Sequence, residues 1–188
     1  MKLPKNMVVW GEFFSAVEPL LHAINHVADC VDFFTARTYR KLKQRVVNRN
    51  KTLPGTFMGI HVSHWLNIAV HANQLPQKPH KDRLSSHKGF DGISSIGPFT
   101  DCWICFPHLG IRFRIRPLDV CLIRGAALYH HMYRWKGEGR FVIVPFADRH
   151  LFPTFRVKRP KFPRPVFGAD WKEFRKQYPA KDLGSFQK

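Results

Sequence analysis

The sequence predicts a mainly β domain with helices at its N-terminus, an α+β arrangement. Apolar residues recur at helical spacing before residue 50, and short runs rich in Ile, Val, Phe and Trp follow Pro54-Gly55. A length of 188 residues with 44% hydrophobic content suits one globular domain with short appendages. We therefore divide the chain into a basic helical segment over 1–53 that supports the core, a β core over 54–152 and a basic, proline-rich strap over 153–188.

The composition is strongly basic, with 31 Lys and Arg against 13 Asp and Glu and a formal charge of +18. Such a charge favours a polyanionic partner, either nucleic acid or an acidic membrane surface. No apolar run approaches the roughly 18 residues that a membrane-spanning helix needs. The N-terminus lacks a signal-peptide pattern, and the four cysteines are too scattered for a secreted disulfide-rich domain. We expect an intracellular protein without a membrane contact.

The first segment predicts a helix from Val8 to about Val47. Its apolar residues lie three or four positions apart, as on one helical face: Phe13, Val17, Leu20, Leu21, Ile24, Val27 and Val31. The second half carries a basic run with no acidic residue in it, which includes Arg37, Arg40, Lys41, Lys43 and Arg45. A run of this kind is either a solvated surface or a nucleic-acid contact, and both interpretations stay open.

Short strands are predicted in the β core, bounded by Gly, Pro, Asp and Ser. The candidates are Phe57 to Val62, Leu66 to His71, Cys102 to Phe106, Ile111 to Ile115, Val120 to Ile123, Leu128 to Met132 and Phe141 to Val144. Ile111 to Ile115 alternates apolar and basic residues, which predicts one buried face and one face in water. Strands at this spacing are typical of a sandwich or barrel. The prolines from 153 to 165 predict a strap that runs extended over the surface.

The most informative segment for chemistry is His80-Lys81-Asp82. Residues two apart on an extended chain point the same way, so an imidazole and a carboxylate can occupy adjacent positions on one metal ion. His130 or His131 supplies a third ligand, and strand alternation lets only one of them face the metal. Arg140 follows in the next strand and can bind a carboxylate with two hydrogen bonds. Two His and one carboxylate form the facial triad of non-haem Fe(II) oxygenases.

Cys102 and Cys105 have the spacing of zinc ligands. The sequence offers no second close pair of cysteines, and both residues lie in an apolar predicted strand. A structural role is therefore favoured for them.

A longer ordered pattern extends over residues 57–150. It comprises Asn73, His80-Lys81-Asp82, Gly97-Pro98-Phe99, Phe106-Pro107-His108-Leu109-Gly110-Ile111-Arg112-Phe113, Pro117-Leu118-Asp119-Val120, Arg124-Gly125, Leu128-Tyr129-His130 and Arg140. On these residues the chain resembles the 2-oxoglutarate/Fe(II)-dependent dioxygenases, and it is most similar to their TET/JBP-like branch of the fungal type. The resemblance implies a double-stranded β-helix, or jelly-roll, for the core.

The resemblance also implies roles for individual residues. His80, Asp82 and His130 would hold Fe(II), with His131 as the alternative third ligand, and Arg140 would bind the distal carboxylate of 2-oxoglutarate. Asn73 would reach the co-substrate or a metal-bound water, unless it serves only to end a strand.

Such an enzyme uses O2 to oxidise a substrate C–H bond while 2-oxoglutarate becomes succinate and CO2. The implied substrate is the methyl group of 5-methylcytosine in DNA, and loops at the barrel mouth, including Ser85 to Ser95, would help to flip the base out. We therefore expect a nuclear, DNA-binding oxidoreductase that acts as a monomer.

Four residues at three places depart from the pattern of this branch. Leu118 replaces the glycine of a Pro-Gly-Asp turn, Asp101-Cys102 replace a Gly-Gly pair, and Val142 replaces a serine. Two other interpretations therefore stay open. One is a catalytically inactive, basic nucleic-acid-binding jelly-roll, and the other is an oxygenase that acts on a protein or a small molecule.

Overall fold

The computed structural model describes residues 5–49 and 62–161, with side chains from residue 12 onward. The candidate strand over 57–62 lies outside this range except for Val62, and most of the predicted strap lies outside it as well. None of the described helices is long and apolar enough to cross a membrane.

Helix α1 (Lys5–Arg49) confirms the predicted helix but is interrupted at Asp32, where φ is −154° and ψ is 81°. One Asp32 carboxylate oxygen accepts a hydrogen bond from the Thr35 backbone N–H at 3.0 Å, and the other accepts one from the Thr35 hydroxyl at 2.7 Å. Asp32 therefore caps the N-terminus of the second half of α1. The helical spacing of apolar residues continues up to Val31, directly before the break, so the sequence predicted one uninterrupted helix.

Nine strands lie between residues 67 and 146 of the described chain. They are β1 (Asn67–Ala72), β2 (Asp91–Ile96), β3 (Phe99–Thr100), β4 (Cys102–Phe106), β5 (Ile111–Ile115), β6 (Val120–Ile123), β7 (His131–Met132), β8 (Lys136–Gly137) and β9 (Phe141–Phe146). They form a four-stranded sheet in the order β1-β9-β2-β6, a three-stranded sheet in the order β5-β4-β7 and a β3-β8 pair. All pairings are antiparallel, and a short helix α2 (Leu151–Thr154) follows β9.

The four-stranded sheet is covered on both faces. Ile143 and Val120 belong to the apolar cluster that this sheet shares with α1. The side chains that alternate with them include Ile93, which packs in a second cluster with Ile104 and Ile115 of the three-stranded sheet. Two antiparallel sheets with a helix behind the larger one form a jelly-roll-like core, which confirms the predicted fold class.

Strand β2 was missed, since the region from Ser85 to Ser95 was expected to be a loop at the barrel mouth. Ser94 and Ser95 are fully buried. A Cβ atom on Gly92 would lie 2.7 Å from a methyl group of Ile24 in α1. The helix approaches this strand so closely that only small residues fit, and small residues leave no hydrophobic pattern for a sequence-based prediction.

The prediction of one buried face for β5 is wrong. Ile111 and Phe113 are 43% and 51% exposed, and of the five residues in this strand only Ile115 is buried. The strand lies at the edge of the three-stranded sheet. Alternation predicts which residues share a face, but it does not show whether another element covers that face.

The start of the strap also differs from its prediction. Pro153 lies inside the short helix α2, and Val157 and Pro160 are buried. The Arg45 guanidinium of α1 donates hydrogen bonds to the backbone carbonyls of Phe155 and Arg156 at 3.1 and 2.9 Å. This part of the chain therefore packs back against the helix.

Tyr39 joins α1 to the segment that enters β2. Its side chain is buried, and its hydroxyl donates to the Phe90 carbonyl at 3.0 Å while it accepts from the Phe90 N–H at 2.9 Å. The ring packs against Trp65, Phe90 and Phe152, with centroids 5.6 to 6.3 Å apart. Burial raises the pKa of Tyr39, so the hydroxyl stays protonated and can both donate and accept.

Replacing Tyr39 with Phe should lower the free energy of unfolding by about 1–3 kcal/mol, because the buried Phe90 N–H loses its acceptor while the ring packing is kept. Urea denaturation measures the change. Tyr133→Phe is the control, since Tyr133 is 46% exposed and its hydroxyl can form hydrogen bonds with water. Equal stability of the two variants would contradict the role given to the Tyr39 hydroxyl.

Two of the residues that replace glycines of the resembled family keep a left-handed backbone. Leu118 has φ of 70° and Asp101 has φ of 54°. The Leu118 N–H donates to the Ser95 carbonyl at 2.8 Å, and the Asp119 N–H donates to the Arg116 carbonyl at 3.1 Å, so hydrogen bonds hold the turn in this form. The turn before β6 therefore keeps its conformation at the cost of strain at Leu118.

The substitution Leu118→Gly should raise the free energy of unfolding by about 0.5–1 kcal/mol. A non-glycine residue in the left-handed conformation is strained by about 1–2 kcal/mol, and glycine removes this strain. Glycine also makes the unfolded chain more flexible, which costs only about 0.5–1 kcal/mol. Chemical denaturation tests this, with Leu118→Ala as the matched control because it keeps the strained Cβ atom. A similar gain in both variants would show that strain at this turn is not the cause.

Candidate metal centre

His80, Asp82 and His130 come together at one end of the space between the two sheets. One donor atom from each residue lies within 4.8 Å of the other two. Nε2 of His80 is 3.7 Å from one Asp82 carboxylate oxygen, and Nε2 of His130 is 3.5 Å from the other. His130 is buried, whereas the other two side chains are one third or more exposed. Three donors at these distances could hold a metal ion.

Backbone hydrogen bonds bring these residues together from segments that are distant in sequence. His80 and His130 form an antiparallel bridge in which each N–H donates to the other residue's carbonyl at 3.0 Å. The Asp82 N–H donates to the Gly125 carbonyl at 2.9 Å. Backbone hydrogen bonds therefore tie the three ligand segments together at an isolated β-bridge, which favours a preformed site.

Both histidines present the same nitrogen to the centre. Nδ1 of His80 lies 3.0 Å from the Lys78 carbonyl, and Nδ1 of His130 lies 3.0 Å from the Leu128 carbonyl. A carbonyl can only accept, so Nδ1 carries the proton in each ring. In the neutral tautomer that these contacts favour, the Nε2 lone pair of each ring faces Asp82 and can bind a metal, an arrangement typical of metal-binding histidines.

The structure separates the two adjacent histidines. His131 lies in β7 opposite Cys105 of β4, while His130 lies with His80 and Asp82. Only His131 and Met132 of the predicted strand from Leu128 to Met132 form a regular strand. His130 does not pair with β4. It pairs with His80 instead, and the His130 ring lies at the candidate centre.

Gly125 packs directly against the carboxylate of Asp82. A Cβ atom at this position would collide with Asp82 Oδ2 and would lie 2.8 Å from Oδ2 of Asp91. Asp91 is 2% exposed, and its Oδ2 has no hydrogen-bond partner among the described residues. Burial raises the pKa of Asp91 to about 8, with Asp82 adding to the shift and a hydrogen bond with Ser85 opposing it. Asp91 is therefore mostly protonated at neutral pH in the metal-free protein.

Arg140 lies deep in the same cavity and is 3% exposed. Its Nη2 donates to the Ser95 hydroxyl at 2.9 Å, but its Nε and Nη1 have no partner among the described residues. Burial lowers the pKa of Arg140, although a guanidinium stays charged at any physiological pH. A buried cation with two unused donors is costly unless an anion occupies the space beside it.

Asn73 fixes the entry of Arg140 into β9. Its carbonyl oxygen Oδ1 accepts from the Arg140 N–H at 2.8 Å, and its own N–H donates to the Arg140 carbonyl at 2.7 Å. It has φ of 48°, which a short polar side chain tolerates. Asn73 follows the last residue of β1 and positions the backbone of Arg140, and its predicted contact with the co-substrate stays a prediction.

The cavity that joins these residues has a volume of about 330 Å³. Its walls are mainly apolar side chains of the two sheets, and they include Ala69, Ile93, Ile104, Ile115, Val142 and Val144. Its polar groups include the candidate metal ligands and Arg140, together with His71, Gln74, Gln77, Lys81, Arg83 and Ser85. An apolar cavity with a few convergent polar groups is typical of a small-molecule site.

The predicted basic set on α1 is only partly available. Arg40 forms an ion pair with Asp29, Lys43 donates to the Ser63 carbonyl at 2.9 Å, and Arg45 binds two carbonyls near α2. Arg37 and Lys41 are exposed. Burial lowers the pKa of Lys43 to about 8. The contacts of Arg40, Lys43 and Arg45 help to anchor the helix, so a nucleic-acid contact by all five residues stays a prediction.

Sequence reasoning missed Ser95, Gly125 and Asp91 as residues that support the site. Ser95 orients Arg140, and the other two pack against or beside Asp82. Ser95 and Asp91 carry no local signal because they lie in the unpredicted strand β2. Gly125 was part of the recognised pattern, but its contact with the carboxylate depends on a distant segment of the chain.

The fold and the site define a jelly-roll-like protein with a His/Asp/His cluster that could bind a metal. The donor set fits a non-haem iron centre, and the unpaired donors of Arg140 fit a carboxylate ligand. No family model matches the chain, and no curated protein matches it. The solved structures that match include NgTET1 in complex with 5mC DNA, at 16% sequence identity and a TM-score of 0.45. The match covers 70% of this chain and 50% of that one, so the chain spans about half the length of that structure.

Replacing Gly125 with Ala should weaken divalent-metal binding about tenfold or more, because the new methyl group displaces the Asp82 carboxylate. Calorimetric titration with Mn²⁺ measures the affinity, and thermal unfolding in EDTA checks that the variant folds. Gly139→Ala is the matched control, since a Cβ atom there meets only Asn73 Oδ1 at an ordinary 3.7 Å. Wild-type affinity in the Gly125 variant would show that Asp82 does not contribute to a metal site.

Proposed function

We propose that this protein is an Fe(II)- and 2-oxoglutarate-dependent dioxygenase of the TET/JBP-like type that hydroxylates a substrate C–H bond. The observation that carries the proposal is the combination of three metal-ligand donors and a buried, partly unpaired guanidinium in one apolar cavity. Neither the donor cluster nor the buried guanidinium alone would indicate this chemistry. Together they match a metal that needs open positions and a co-substrate that carries a carboxylate.

In this proposal, Nε2 of His80, Nε2 of His130 and the Asp82 carboxylate hold the iron. The iron would supply the activation of O2 that oxidises the C–H bond. The chain's own residues supply position and environment. Backbone bonds at His80 and His130 hold the two ligand segments together, and apolar walls line the cavity that would receive the co-substrate.

Arg140 would bind the distal carboxylate of 2-oxoglutarate through its guanidinium, whose Nε and Nη1 lack a hydrogen-bond partner among the described residues. Ser95 keeps the guanidinium in place through Nη2, and Asn73 fixes the backbone of the same residue. A bound carboxylate would neutralise the buried charge, so co-substrate binding should stabilise the whole fold.

The substrate we propose is the methyl group of 5-methylcytosine in DNA, which would place the protein in the nucleus. The ordered motifs of the TET/JBP-like branch support this choice, and so does the charge of +18, because neutralising phosphates contributes much of the affinity for nucleic acid. A base inside a duplex would have to leave the stack to reach the cavity.

The test is 2-oxoglutarate binding to the Fe(II)-loaded full chain under anaerobic conditions. Wild-type protein should bind, Asp82→Ala should lose both metal and co-substrate, and Arg140→Ala should keep the metal while its affinity for 2-oxoglutarate falls about tenfold or more. Calorimetry with and without 2-oxoglutarate separates the two effects.

The control is His131→Ala, which should bind metal and 2-oxoglutarate as wild type does, since His131 lies away from the cluster. Release of succinate that depends on 5-methylcytosine, compared between methylated and unmethylated oligonucleotides, then tests the substrate. If folded, metal-loaded wild type fails to bind 2-oxoglutarate, the enzyme proposal falls. A basic nucleic-acid-binding jelly-roll would then be the better account.

A further inference from the structure

An exposed group of aromatic, apolar and basic side chains lies beside the candidate metal centre. We call it the aromatic ledge and define it by Lys81, His108, Ile111, Phe113 and Tyr129. Soluble proteins expose single apolar residues routinely, but a cluster of them next to a cavity marks an interaction surface. None of these residues is a candidate metal ligand, and of the five only Lys81 also lines the cavity.

Strand register shows that the ledge continues the inner face of the three-stranded sheet. Phe106 pairs with Ile111, and Ile104 pairs with Phe113, so these four side chains share one face. Phe106 also lies against the ring of His130, with centroids 6.3 Å apart. A continuous row therefore leads from the metal ligand across buried Phe106 to exposed Ile111 and Phe113.

The aromatic rings of the ledge are held by neighbouring groups. The His108 and Tyr129 rings stack with centroids 4.7 Å apart and planes 12° apart. The Lys81 ammonium lies 4.6 Å from the centre of the Tyr129 ring. Phe113 meets Phe106 edge-on at 6.0 Å. Rings that are held in place and half exposed lose little entropy when a planar ligand stacks on them.

The charge around the ledge is positive. Arg112 and Arg114 lie in β5 and Arg116 follows the strand, where its Nε lies 3.4 Å from a carboxylate oxygen of Asp119. Arg112 and Arg114 alternate with Ile111 and Phe113 and project from the opposite face of β5, where Arg112 lies over the Trp103 ring. Aromatic platforms flanked by cations are how proteins bind single-stranded nucleic acid.

Charge also argues against a second copy of the chain as the occupant. β5 is an edge strand that pairs only with β4 among the described strands, so its free edge could accept another strand. Two copies would bring the arginines of two β5 strands together, and each chain carries a formal charge of +18. Like charges at a strand edge oppose such pairing, whereas phosphates would neutralise them.

We propose that the aromatic ledge binds single-stranded DNA, with unpaired bases stacked on Phe113 and on the stacked His108–Tyr129 pair, and with phosphates near Lys81 and the arginines of the edge strand β5. The proposal names the strandedness of the substrate and rests on the proposed function for its choice of DNA. A duplex keeps its bases stacked on one another, so it cannot use these rings in the same way. DNA held on the ledge would lie next to the His130 side of the candidate centre.

The experiment measures fluorescence anisotropy of a labelled oligonucleotide, single-stranded and as a duplex of the same sequence, with the full chain in EDTA. Wild-type protein should bind the single strand more tightly. The double variant Phe113→Ala/Tyr129→Ala should lose about tenfold or more of its affinity for the single strand, while its duplex affinity changes about twofold or less.

Two further variants keep the result interpretable. Phe34→Ala should bind as wild type does, because Phe34 is 77% exposed but lies on α1, away from the ledge. Phe113→Tyr/Tyr129→Phe should also bind as wild type does, because it keeps both rings. Circular dichroism and thermal unfolding establish that each variant folds.

Equal binding of the single strand by wild type and the alanine variant would overturn the proposal, and so would an equal loss on both forms of DNA. Tighter binding of RNA than of DNA with the same sequence would overturn the choice of DNA. A change in oligomeric state by sedimentation, with unchanged DNA affinity, would assign the ledge to a second copy instead. Because EDTA and the absence of 2-oxoglutarate keep catalysis out of this test, its failure is distinct from failure of the proposed function.

Discussion

The reciprocal backbone hydrogen bonds between His80 and His130 are the contact on which the site depends. They join a segment that follows β1 to the segment that leads into β7. These bonds hold the segment that contains His80 and Asp82 beside the segment that contains His130. The pairing also closes one end of the space between the sheets, so the same bonds that assemble the donors give the cavity its polar end. The backbone pairing thus brings the ligands together. The carbonyls of Lys78 and Leu128, which contact Nδ1 of the two rings, then orient each imidazole.

Two buried ionisable residues near the candidate centre show how the core accommodates charge. Arg140 and Asp91 are both buried, and each has an atom without a partner in the described chain. Asp91 relieves its burial by keeping its proton, while a guanidinium has no such option and stays charged. Asp91 begins β2, and Arg140 directly precedes β9, the neighbouring strand in the sheet. The pairing of these two strands therefore brings both polar groups into the core.

Particular residues show how far sequence reasoning reached. Strand alternation and the resemblance identified His80, Asp82 and His130 as a group, because chemistry requires that combination and ordered motifs flank it. The helix, most of the strands and the jelly-roll class followed from periodicity and from the same motifs. Strand β2 was missed because buried serines look like a loop, and the exposure of Phe113 was missed because alternation says nothing about what covers a face. Basic side chains on α1 looked like one surface, yet three of the five contact the chain itself.

The sequence by itself determined which residue types the chain contains, their order and the spacing of its apolar residues. These features predict helices, strands and candidate metal ligands. It also determined the excess of positive charge, which no folding can remove. Only the tertiary structure decided that His130 and not His131 faces Asp82, that Gly125 lies against that carboxylate and that Arg140 keeps unused donors. The physical reason is that local periodicity acts within one element. Contacts between segments far apart in sequence depend on register and on the distance between layers, and those are set by the packing of the whole core.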